Sequence, residues 1–167
     1  MTEPTFDALM AEVMATAERF GHREHVHLTW LAVRRCGIPA AIALVSDGIR
    51  RTARYAGAPQ KYHATVSRAW VELVGYYAAE SGDDYAAFAD RHPALLDKRL
   101  LTHYYRPSTL AAPRAKDGWV EPDLAPFPRA GRRRVAPVVP RSPVLAGQSS
   151  CFARLGWTRL GSPGIFG

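Results

Sequence analysis

The chain has 167 residues, enough for one domain with a sizeable core. Two cysteines, Cys36 and Cys151, are too few for a disulfide framework and fit a reducing cytoplasm. The net charge of +7 does not mark the body as a nucleic-acid binder: residues 126–167 hold seven arginines and no acid, whereas residues 1–125 hold 15 basic and 15 acidic residues. No stretch reaches the roughly 20 apolar residues of a membrane span. The opening "MTEPTFD" lacks the basic-then-apolar pattern of a signal peptide. The expectation is a cytoplasmic protein without a membrane span.

In chain order, "TFDALMAEVMATAERF" spaces Phe6, Leu9, Met10, Val13, Met14 and Ala17 as one helix face, and Gly21 follows as a stop. A second helix is predicted from about 22 to 36, ending at "GIP". A third starts at Pro39, a good first-turn residue, and runs to about 55. A fourth covers about 61–79, a short one lies around "DYAAFADRH", and another covers about 94–105. "WVEPDL" reads as extended, and no window alternates strictly enough for a strand. The pattern predicts an all-α bundle of about five or six helices over residues 1–125.

Residues 126–167 read differently. Six prolines and six glycines fall in 42 residues, without a lasting helical or strand period. Such a segment buries too little apolar surface to offset its ordering entropy, so a disordered, irregular tail is expected. Its arginines could contact nucleic acid or acidic surfaces, although "GRRR" is short for a basic patch.

The chemistry-bearing residues concentrate in "HREHVH", where three of the chain's six histidines fall within positions 22–27. On a helical wheel His22 and His25 lie in the apolar arc with Leu28, Ala32 and Cys36, and His27 lies opposite with Arg23 and Arg34. In the fourth helix His63 shares the apolar arc with Trp70. In the last helix His103 lies with Leu96, Leu100 and Tyr104. Short loops favour antiparallel neighbours, which would bring His22, His25, His63 and His103 to one end of the bundle.

Buried imidazoles need partners, and a metal is one way to supply them. Imidazole ligands without thiolate suit Zn, Fe, Cu or Ni. The expected centre has His22, His25 and His63 as ligands and His103 as a fourth ligand or general base. Glu24, Tyr62 and Tyr104 stand close enough in the pattern to orient an imidazole or move a proton. An exposed ion pair of Glu24 with Arg23 or Arg35 is the plainer alternative. Cys36 is expected in the core, and His92 at a helix end. Glu121 and Asp123 point to one side of an extended segment.

The blocks "HREHVHLTW", "KYHATVSRAW", "HPALLDKRLLTHYY" and "WVEPDL" resemble those of a family of small helical bacterial proteins. The resemblance covers roughly residues 20–125. It implies an independent unit ending near Pro128, with the tail outside it, and it brings no activity with it. Relatives of that kind often carry an acidic residue after the histidine of "KYH", where this chain has Ala64. The leading expectation is a metal-dependent enzyme acting on a small molecule. The alternatives are a non-catalytic small-ligand or metal-binding protein, and a helical interaction protein whose basic tail does the binding.

Overall fold

The computed structural model describes residues 4–79 and 82–128. The tail from residue 129 onward, with Cys151, lies outside the described residues, and so does the expectation that it is disordered. Among the described residues the fold is all-α, with no strand. Six helices carry it: α1 (Phe6–Met14), α2 (His22–Tyr55), α3 (Ala64–Ala78), α4 (Tyr85–Arg91), α5 (Pro107–Ala111) and α6 (Pro113–Asp117).

α1 and α4 start where the sequence offers a side chain for their orphan amides. Thr5 Oγ1 accepts from Ala8 N (3.2 Å), and Asp84 caps α4 through Ala86 N (2.8 Å). Prolines open α5 and α6, where a missing N–H costs nothing. α1 buries Phe6, Leu9 and Val13, a single stripe, against α2.

α2 is the centre of the fold. Its first half is buried on almost every side, from His25 to Val33, while its second half buries only the stripe Ala41, Val45, Gly48 and Ala53. Gly37, at φ +75°, breaks the helix between the two halves. The two expected helices are therefore continuous in the chain but kinked at "GIP". Pro39 follows the break, where its absent N–H and fixed φ suit a restarting helix. α3 packs on both halves. Trp70 meets His22, and a Cβ placed on Gly75 would come within 2.6 Å of Ile38.

By length and composition alone α2 is also apolar enough to cross a membrane, with an 18-residue window of mean hydropathy 1.4, of which 44 % is buried in the fold.

Two expectations about elements are corrected. The helix expected from Lys61 starts only at Ala64, after a 3₁₀ turn over Pro59–Lys61. The helix expected over 94–105 is two 3₁₀ turns, Pro93–Leu96 and Leu100–His103. Asp97 divides them. Its backbone is extended, and its carboxylate accepts from Arg99 N at 2.9 Å, a local bond that competes with the helix ladder.

The segment 92–127 wraps over α3 and the start of α2. Tyr105 Oη donates to the Val120 carbonyl (2.8 Å), and Leu124 N donates to the Tyr104 carbonyl (3.0 Å). Phe127 packs against Tyr104, Tyr105 and Trp119, so packing continues two residues beyond the expected boundary at 125.

Candidate functional site

His63 sits at the N-cap of α3, not inside its first turn. Its Nδ1 accepts from Val66 N (3.3 Å), and Nε2 lies 2.9 Å from the Leu110 carbonyl. A carbonyl only accepts, so Nε2 carries the proton and the ring is neutral. Both nitrogens are thus engaged, one by the amide that α3 leaves orphaned and one by a carbonyl in the last turn of α5. Burial lowers the imidazole's pKa, and the Leu110 bond offsets this only in part.

His22 is held in the same way at Nε2. Its Nε2–H donates to the Leu95 carbonyl (3.0 Å), in the 3₁₀ turn Pro93–Leu96, while the ring meets Trp70 edge-on at 4.6 Å. Burial lowers its pKa too. His25 is fully buried behind it, with the Phe20 ring edge-on at 6.3 Å. Burial first, and then the neighbouring His22, pushes His25 down to about 3.

The expected three-histidine centre is not assembled. His22 and His25 are neighbours, but His63 is seven residues before Trp70 on α3, roughly 10 Å along the axis from the residue His22 touches. Among the described residues no group of three or more His, Cys, Asp or Glu side chains is placed to hold a metal ion. The ring nitrogens of His63 are both occupied by hydrogen bonds, so His63 does not fit Zn, Fe, Cu or Ni coordination as it stands.

The other candidates also have structural partners. Glu24 accepts from Gly21 N at 2.9 Å and closes the start of α2. The sequence carried this signal, because a glutamate three residues after a glycine stop fits a helix start. His103 is exposed at the end of a 3₁₀ turn and does not reach the other histidines. Tyr104 packs on Phe127 at 4.9 Å, and burial raises its phenol pKa, so it holds its proton at neutral pH. His27 is half-covered, stacked on Tyr85 at 3.9 Å. Trp119 Nε1 donates to Glu121, and Asp123 accepts from Arg106 N and Thr109, so neither carboxylate faces the histidines.

A different feature was not singled out in the sequence. An open groove of about 820 Å³ runs along α2 from Arg35 to Arg54, with Pro4 ahead of α1 as part of its wall. Ala40, Ala43, Leu44 and Cys36 line it, together with Asp47 and four arginines, Arg35, Arg50, Arg51 and Arg54. Cys36 is half-buried there and not in the core proper. The signal was present: arginines recur along one face of α2 with small residues between them, and such a face reads first as solvated surface.

The arginines are not equivalent. Arg35 pairs with Glu12 and Arg50 with Asp47, both at 2.6 Å. Arg51 reaches Asp7 only at 3.8 Å, and Arg54 forms no ion pair among the described residues.

Comparison with family models, with curated proteins and with solved structures finds no match to this chain.

Proposed function

We propose that the chain is a non-catalytic binding protein for a small anionic ligand, which it takes up in the arginine-lined groove of α2. The observation that carries this reading is the groove itself, four guanidiniums and a single carboxylate, Asp47, around a floor of Ala40, Ala43 and Leu44. Its volume of about 820 Å³ is of the size small-molecule sites have, about 300–1,000 Å³.

The energetics favour an anion. Exposed ion pairs are worth about 0–1 kcal/mol, so drawing Arg51 away from Asp7 costs little. A charge-assisted hydrogen bond contributes about 1.5–3 kcal/mol. The C-terminal dipole of α2 opposes an anion by about 0.3–1 kcal/mol, which two guanidinium contacts outweigh. The reading is non-catalytic because His22 and His63 spend their Nε2–H groups on the fold.

The same reading takes α2 as the central helix of a cytoplasmic fold. Arg34 and Arg35 sit in its middle and pair with Asp83 and Glu12. Two exposed ion pairs and a glycine kink in mid-helix suit the helix of a water-facing fold better than a bilayer span.

The test is a titration with inorganic phosphate followed by amide and arginine NMR shifts. Changes clustered over residues 35–54 and weakened by added salt are expected. Scattered changes, or changes centred on His22, His25 and His63, would contradict the reading.

A further inference from the structure

Resting on that reading, we infer that the groove takes an amphipathic anion: a phosphate or carboxylate head held by Arg51 and Arg54, with a single apolar body over Ala40, Ala43 and Leu44. The two arginines without a close ion pair among the described residues, Arg51 and Arg54, lie at one end, toward the C-terminus of α2. Arg35, already held by Glu12 at 2.6 Å, belongs to the other end, beside Cys36. The charge available to a ligand is therefore at one end only.

Beyond the head site the groove carries the Asp47–Arg50 ion pair and then an apolar patch. Ala40 and Ala43 are exposed and have no side chain beyond Cβ, and Leu44 is half-buried between them and the core. From Ala40 to Leu44 the helix rises roughly 6 Å, and this apolar track is separated from the head site by the Asp47–Arg50 ion pair. A compact ion would touch the arginines and leave the track wet. An uncharged chain would cover the track and leave Arg51 and Arg54 unmatched. A ligand with both parts uses both halves, and burying the track adds favourable area. Its source could be a free amphiphile or the headgroup of a bilayer lipid. The shared chemistry is an anionic head on an alkyl chain, and we assign the free form, because Pro4 gives the groove a side wall against which a single molecule can lie.

The experiment uses the full chain carrying Cys151→Ser, so that Cys36 is the sole thiol and reports the far end of the groove. Octyl phosphate, inorganic phosphate and octanol are titrated as probes, with alkylation of Cys36 by N-ethylmaleimide as a second readout. Octyl phosphate should bind at least about tenfold more tightly than either half alone and slow the alkylation. Arg51→Ala with Arg54→Ala, and separately Ala43→Glu on the exposed floor, should each weaken octyl phosphate about tenfold or more. Equal binding of octyl and inorganic phosphate, both lost in the arginine variant, would overturn the amphipathic inference and leave the groove as an anion site. Octyl phosphate binding unchanged by all three substitutions would overturn both. Binding to phosphatidylglycerol vesicles without binding to octyl phosphate would overturn the assignment to a free ligand.

Discussion

His63 ties α3 to α5 by donating from Nε2 to the Leu110 carbonyl at 2.9 Å while its Nδ1 caps the Val66 amide. One side chain thus satisfies orphan groups of two helices. His63→Ala should cost about 2–4 kcal/mol, roughly 1 for the cap and the rest for a carbonyl left without its donor. His63→Asn keeps a capping oxygen but is too short for Leu110, so it should recover only the cap, about 1 kcal/mol. Urea unfolding of the three proteins checks the split. Equal stability of the alanine and asparagine variants would contradict it.

Acid should destabilise the fold in a defined direction. His22, His25 and His63 all have lowered pKa values, chiefly through burial, with His25 pushed down to about 3. Above the unfolded value near 6.5 both states are neutral and the stability is fully present. As the pH falls below it, the unfolded chain takes up protons that the folded chain excludes. Each such histidine then removes about 1.4 kcal/mol per pH unit, for His25 down to about pH 3. The urea midpoint should fall steadily from about pH 7 to pH 5, and His25→Gln should flatten the fall. A level profile in the parent protein would contradict the burial of these rings.

Metal should not be a folding ligand. Addition of Zn²⁺ to untagged protein, or exhaustive chelation, should leave the thermal midpoint unchanged, since anything binding only the native state would raise it. The check is differential scanning calorimetry beside elemental analysis. Near-stoichiometric Zn, Fe, Cu or Ni that disappears in His63→Ala would restore the three-histidine centre.

α1 is held by a close approach. A Cβ on Gly48 would fall 2.0 Å from Phe6 Cδ2, inside the ring that fills this part of the core. Gly48→Ala should destabilise by about 1–3 kcal/mol through overpacking. Phe6→Leu should relieve part of that in the double variant, so the two substitutions should be less than additive. Additive costs would show that Phe6 does not pack on Gly48 in solution.

The sequence made the long elements readable because their signals are local. Apolar period, capping residues and the Gly37–Pro39 break locate α1, both halves of α2, α3 and α4. It also showed which way His25 and His63 face. A helical wheel gives direction around an axis and says nothing of level along it, so the expected meeting of His22 with His63 was not readable. The step over 94–105 failed because periodicity at Leu96, Leu100 and Tyr104 ignores the Asp97 side chain, which takes the Arg99 amide for itself. The groove stayed hidden because its arginines fall on what looks like a solvated face, and only the docking of α1 gives that face a wall.

The central claim is that His22 and His63 are neutral, proton-bearing at Nε2, and spent on backbone carbonyls. A long-range proton–nitrogen correlation spectrum of the imidazoles at neutral pH, recorded with and without Zn²⁺, tests it most directly. The account predicts Nε2–H tautomers for both rings, unmoved by the metal. Nδ1–H tautomers, or stoichiometric shifts of His22, His25 and His63 together on adding Zn²⁺, would contradict it.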